Sequence, residues 1–150
     1  MKAEKETQQI SAQIASGVLK AYKPSSSVLS KIASLIKKHN KFLLTTHVSA
    51  DADGLGSQIG FYYLLKALKK DVKILNNEPV PEFLSPFIPL GLVEYLGEGG
   101  LSPEKAEKFA QGRFVFILDS SEPLRSDKVG ALFTKMNLAW ATIDHHVLPD

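Results

Sequence analysis

Three apolar runs in this chain each end in aspartate or histidine, and that repetition limits what the chain can fold into. Lys41-Phe-Leu-Leu-Thr-Thr-His47 leads into Asp51 and Asp53, and Phe114-Val-Phe-Ile-Leu-Asp119 ends in one acid. Ala139-Trp-Ala-Thr-Ile-Asp144-His145-His146 ends in three titratable groups in a row. Short, nearly continuous apolar runs read as strands covered on both faces, as in parallel sheets. In such sheets ligands gather beyond the carboxyl ends of the strands. His47, Asp51, Asp53, Asp119, Asp144, His145 and His146 therefore fall at one end of one sheet and suggest a shared site.

The segments between these runs agree with that layout. Gly54 to Lys70 carries Leu55, Ile59, Tyr62, Leu65 and Leu68 or Lys69 at helical spacing, with Gly56 and Gly60 expected to allow close approach to a sheet. Asp71 to Asn76 reads as the next strand, so residues 41–76 form a strand–helix–strand unit with a parallel crossover. Prolines recur from Glu78 to Pro89 and restrict it to a loop with at most one short turn. Gly97 to Gly100 is a second loop. Ser102 before Pro103 marks a helix start that should run to about Gln111. Leu124 to Met136 reads as a helix and Leu138 to Ile143 as a strand. Upstream, Ile10, Ile14, Val18 and Tyr22 lie four apart and predict an amphipathic helix over 3–22, broken by Pro24 and Ser25–Ser27. A further helix carries Val28, Leu29, Ile32, Leu35 and Ile36. The expectation is an α/β domain over residues 28–150, a mostly parallel sheet flanked by helices, with an N-terminal helical extension over 1–27.

Bulk properties remove several functions. At 150 residues the chain has the length of one domain with a real core. A net charge of +2 is too small for nucleic-acid binding by bulk electrostatics, so an anionic substrate must be held by a local site. The absence of cysteine excludes disulfides and thiolate metal sites. No run of 18 apolar residues appears and the N-terminus lacks the apolar centre of a signal peptide, so no membrane contact and a cytoplasmic location are expected.

Taken singly, each site residue has an ordinary explanation. Asp53 before Gly54 could be a helix N-cap, His47 a hydrogen-bonded structural histidine, and Asp119 a cap for the segment after it. Asp144-His145-His146 resists this, because three polar groups after a buried strand need partners. Histidines and carboxylates without thiolate suit Mn²⁺, Zn²⁺, Fe²⁺ or Mg²⁺. So many carboxylates in one site would repel without cations between them, and their number suggests two ions. Two ions about 3.5–4 Å apart can clamp the attacking and leaving oxygens of a displacement at phosphorus, with a bridging hydroxide as nucleophile. Asp119, on a central strand, is well placed to bridge the pair, and His145 and His146 point different ways on extended backbone. Phe114, Phe116 and Trp140 read as core rather than base-stacking residues. The lysines at 37–38, 66 and 69–70 sit at helix ends, where they interact with helix carbonyls. Arg125 either reaches a phosphate or is a solvated arginine at a helix start.

At these residues the chain resembles the DHH phosphoesterase superfamily, over about residues 28–150. The first motif is His47-x-x-x-Asp51-x-Asp53-x-x-Gly56-Ser57, the second Leu118-Asp119-Ser120, and the third Asp144-His145-His146. Thr46-His47-Val48 through Ser57, together with Glu78-Pro-Val-Pro-Glu82, looks most like the oligoribonuclease/pAp-phosphatase (nanoRNase) branch. The resemblance implies a Rossmann-like domain and two Mn²⁺ ions, with Mg²⁺ or Co²⁺ as substitutes. It implies His47 and Asp51 on one ion, Asp53 and His145 on the other, and Asp119 bridging. Asp144 would orient its histidine neighbours, and His146 would approach the substrate phosphate or leaving group as the catalytic pair's substrate-facing member.

The function so implied is hydrolysis of short oligoribonucleotides or 3′-phosphoadenosine 5′-phosphate, or both. Alternatives are a cyclic-dinucleotide phosphodiesterase and a non-catalytic metal- or nucleotide-binding fragment; pyrophosphatase and exopolyphosphatase relatives rank lower. Family members continue past the third motif to a further metal-binding Asp and to a substrate-holding domain, DHHA1. Here the sequence ends at Asp150, so DHHA1 is expected to be missing, and exposed apolar surface is expected to favour a homodimer.

Overall fold

A computed structural model describes residues 26–146; the helix expected over 3–22 lies outside the described residues. The chain divides into two compact units, Met1–Lys38 and His39–Asp150. In the first, α1 spans Ser26–Lys38 with Lys37 and Lys38 in its last turn, a favourable end for cations.

The second unit is a five-stranded parallel sheet in the order β3-β2-β1-β4-β5. Its strands are β1 (Lys41–Thr45), β2 (Asp71–Asn76), β3 (Val93–Tyr95), β4 (Phe114–Leu118) and β5 (Trp140–Ile143). Helices α2 (Ala52–Ala67), α3 (Pro103–Ala110) and α4 (Asp127–Lys135) connect them. Phe42, Leu43 and Leu44 of β1 and all five residues of β4 are buried, as two-sided covering requires. The chain winds outward in both directions from the β1–β4 pair. The topological switch point therefore lies between the carboxyl ends of these two strands.

Asp51, not Asp53, caps α2: its Oδ1 accepts from the Asp53 and Gly54 N–H groups at 2.9 and 3.0 Å. The helix ends where Lys69 turns left-handed (φ 59°) and the Lys70 N–H returns to the Leu65 carbonyl. Inside the protein α2 is fixed by a reciprocal amide pair, Gln58 with Asn76 of β2, at 2.7 and 2.9 Å. Ser102 caps α3, as its sequence predicts.

Several expectations change. Gly56 and Gly60 do not face the sheet; a Cβ on either meets nothing within 4 Å. The glycine required by packing is Gly54, where a Cβ would stand 2.6 Å from Thr46 Oγ1. Trp140 is 46% exposed rather than core, because β5 is an edge strand with a neighbour on one side. Val93–Tyr95, between the two expected loops and assigned to no element from sequence, pairs with β2 as the opposite edge. The segment expected as one helix from Leu124 is a 3-10 turn, Pro123–Ser126, followed by α4.

At the amino ends of the strands, buried Arg113 joins three elements. It donates to the Phe109 carbonyl (2.9 Å), the Phe42 and Asp71 carbonyls (3.4 and 3.2 Å) and the Asp71 carboxylate (2.9 Å). That pairing with Arg113 holds the Asp71 carboxyl below its ordinary pKa of 3.8.

Two predictions follow from this packing. Gly54→Ala should cost about 1–3 kcal/mol by overpacking Thr46, while Gly60→Ala should stabilise by about 0.5–1 kcal/mol through helix propensity. Urea melts read both, and equal effects would contradict the assignment of faces. Because Asp71 has a lowered native pKa, its contribution is present at neutral pH and is lost as pH falls below 3.8 toward the native value. Asp71→Asn should therefore be less stable than wild type at pH 7, with the gap closing in acid; a gap independent of pH would remove the ion pair from the account.

Candidate metal site

The end of β1, the start of α2, the end of β4 and the end of β5 bring all seven candidate residues to the switch point. Strand pairing carries the histidines and acids there. Thr46 Oγ1 donates to the Leu118 carbonyl at 2.8 Å, tying the residue after β1 to the last residue of β4. The Asp119 N–H donates to the Ile143 carbonyl at 2.9 Å, which fixes the third strand beside them.

Asp119 is the centre. It is 5% exposed, with a left-handed backbone (φ 57°), a conformation an aspartate tolerates and one that collects at functional sites. His47 Nε2 lies 3.5 Å from its Oδ2, and His145 Nε2 and His146 Nδ1 lie 3.3 and 3.6 Å from its Oδ1. Yet Asp119 Oδ1 is buried with no hydrogen-bond partner among the described residues. His47 Nε2 stands 4.0 Å from Asp51 Oδ1, and His145 Nε2 stands 3.3 Å from Asp53 Oδ2. Two groups of side chains could each hold a cation: His47, Asp51 and Asp119, and Asp119, His145 and His146. Asp119 is common to both.

Asp144 has a different place. Its Oδ1 accepts from the ring Nδ1 of His146 at 2.6 Å and from the His146 N–H at 3.2 Å. Burial works against ionisation of Asp144, but these bonds outweigh it and its pKa is lowered. The same contact raises the pKa of His146, with Asp119 adding to it and the positive charge of Arg125 opposing. Asp51 is likewise lowered, first by the Gly54 N–H.

Arg125 is exposed and lies in the 3-10 turn rather than at a helix start. Its carbonyl accepts from the Val48 N–H at 2.8 Å, so its backbone is clamped against the residue after His47. Two supports escaped the sequence reading. Buried Asn77 donates to the Ser126 carbonyl (2.6 Å) and accepts from the Val129 N–H (3.0 Å), bridging β2 to α4. Glu78 Oε2 accepts from the Ser49 N–H at 2.9 Å and holds the His47–Asp51 loop, where Ser49 is left-handed (φ 57°). The sequence signal was a polar Asn-Asn-Glu directly after an apolar strand, where solvation alone needs no such cluster.

In metal-free protein the His146 ring should titrate above the ordinary histidine value of about 6.5, and Asp144→Asn should bring it down. Proton NMR titration of the imidazole reads this, and an unchanged midpoint would remove Asp144 as the residue that orients His146.

The segment that carries this cluster resembles known proteins. The model of the "DHH family, N-terminal domain" matches residues 41–150. Over 103 residues the chain is 35% identical to the bifunctional oligoribonuclease and PAP phosphatase NrnA of Thermus thermophilus, covering 69% of this chain and 27% of that protein. It superposes on the crystal structure of an exopolyphosphatase-related protein from Bacteroides fragilis with a TM-score of 0.70 at 22% identity, covering 84% of this chain and 36% of that one. The chain thus spans about a quarter of the curated relative and about a third of the solved structure. At that low identity the structural match speaks for the α/β fold, while the motif-bearing region is matched in sequence: the chain belongs to the DHH family and carries its N-terminal domain.

Proposed function

We propose that this domain serves a metal-dependent phosphoesterase acting on short oligoribonucleotides, on 3′-phosphoadenosine 5′-phosphate, or on both. The observation that carries it is Asp119, a buried carboxylate shared by two candidate ligand groups, with one oxygen that accepts no hydrogen bond. Left without a cation, that oxygen bears a desolvation cost that its neighbours do not offset. The donor set fits hard or borderline divalent ions, Mn²⁺ first, with Mg²⁺ or Co²⁺ as substitutes. The name of the Thermus thermophilus relative supports the nucleotide substrates.

His47 and Asp51 would hold one ion, Asp53 and His145 the other, and Asp119 both. His146 also stands near Asp119, but its Nδ1 is engaged by Asp144 at 2.6 Å, which favours Asp53 as the ligand beside His145. Such ions supply a nucleophilic hydroxide at neutral pH and positive charge beside the phosphoryl oxygens. The chain supplies the rest. With Nδ1 donating to Asp144, protonated His146 presents its Nε2–H to a phosphate oxygen or to the departing oxygen, which it can protonate. Arg125, on its clamped turn, offers a guanidinium to the phosphate. Glu78 and Asn77 keep the two loops in register. A second domain, which the family resemblance implies, would hold the remainder of the substrate.

Hydrolysis should be assayed with Mn²⁺ on a diribonucleotide, 3′-phosphoadenosine 5′-phosphate, cyclic di-AMP and short polyphosphate. The first two should be cleaved, and Asp119→Ala should abolish turnover and the rise in Tm caused by Mn²⁺. Activity retained in the variant would overturn the shared-ligand assignment. A Tm rise without cleavage of any ester would leave this chain a metal-binding module.

A further inference from the structure

Beside the ligand cluster runs a groove of about 400 Å³, within the size range of small-molecule sites. Ala52, Leu55, Gly56 and Ile59 of α2 form one side. Leu84 and Phe87, from the proline-rich segment after β2, face them. Three features of this groove are unexplained by folding. Gly56 lies inside a helix, where glycine weakens it, yet nothing lies within 4 Å of the Cβ it lacks. Phe87 is 80% exposed, an apolar ring without cover. That ring is nonetheless on a stiff support: the 3-10 turn Ser85–Phe87 lies among Pro81, Pro86 and Pro89, and Ser85 Oγ donates to the Glu82 carbonyl at 2.8 Å.

Resting on the phosphoester function proposed above, we infer that this groove seats the nucleobase of the nucleotide whose phosphate lies at the Asp119 cluster. Continuity with the cluster identifies the occupant. Ala52 and Gly56 flank Asp53 on α2, and Asp53 Oδ2 lies 3.3 Å from His145 Nε2. Gly56 lies about one helical turn from the metal-binding side chain and Ile59, the far end of that wall, about 9 Å along the helix axis, a span that a ribose and its base together bridge. Nothing ionised lines the groove, so it suits a flat neutral ring and repels a second phosphate by desolvation. Gly56 leaves the slot open and Phe87 provides the stacking face. Stacking tolerates any base because every base has a π-face. The groove therefore detects that a base is present and does not read which one, which suits a substrate class of short RNA of mixed sequence.

The test is binding of AMP, UMP and ribose 5-phosphate to the 150-residue chain in Mn²⁺, by calorimetry. Both nucleotides should bind roughly tenfold or more tighter than ribose 5-phosphate. Phe87→Ala and Gly56→Val should bring them down to the ribose 5-phosphate level and leave that ligand unchanged. Neither substitution threatens the fold, since Phe87 is exposed and the space at Gly56 is open. Equal affinity for base-bearing and base-free ligands, or equal losses for both in Phe87→Ala, would overturn the groove assignment and leave the phosphoester site standing. Failure of all three ligands to bind would overturn the phosphate site and this inference with it. Concentration-dependent dimerisation abolished by Phe87→Ala would make the groove an interface between copies and overturn the nucleobase assignment.

Discussion

A carboxylate buried between strands, with one oxygen lacking a hydrogen bond, is the constraint from which the rest of this domain follows. Asp119 sits at the carboxyl end of β4, where the sheet is covered on both faces. Ionised groups in such a place need partners, and an uncompensated one costs several kcal/mol. The neighbours supplied are three imidazole nitrogens within 3.6 Å, none making a hydrogen bond to its Oδ1. Holding seven titratable side chains around one point then demands that the loops bearing them not relax away from each other. Thr46 on the Leu118 carbonyl, Gly54 pressed against Thr46, Val48 on the Arg125 carbonyl and Glu78 on Ser49 meet that demand.

The two ends of the sheet are built on opposite rules. At the amino ends, Arg113 is buried but all its contacts are with carbonyls and a carboxylate of the same chain, so the charge is satisfied. At the carboxyl ends, polar groups are gathered and left incomplete: Asp119 Oδ1, Asp144 Oδ2 and Ser126 Oγ are buried without hydrogen-bond partners among the described residues. A folded chain keeps such groups where something outside the chain completes them.

The sequence made the site more legible than the surface around it. Short apolar runs ending in His47, Asp119 and Asp144 name both the strands and their functional end, because burial on both faces leaves no other pattern. What could not be read was which side of α2 meets the sheet. That helix is apolar nearly all round, so periodicity assigned Gly56 and Gly60 to the inner face when Gly54, Leu55, Gln58 and Leu65 occupy it. Trp140 was expected in the core, and Val93–Tyr95 was not identified as a strand, for a related reason. Edge position depends on strand order, which no local pattern encodes. Asn77 and Glu78 escaped because their partners, Ser126, Val129 and Ser49, lie 49, 52 and 29 residues away.

The apolarity that hid the orientation of α2 has its own meaning. A helix apolar on every side is normally covered on every side. Here the sheet covers one face, while Tyr63, Leu64 and Leu68 are about half exposed and Gly56 and Gly60 stand open. The face continues to the groove beside Asp53, so its near end is adjacent to the ligand cluster and its far end is not. A small nucleotide accounts for the near end alone. The exposure of Tyr63 and Leu64 lies beyond its reach, so substitution at the Gly56 end, and not at the Tyr63 end, should change small-ligand affinity.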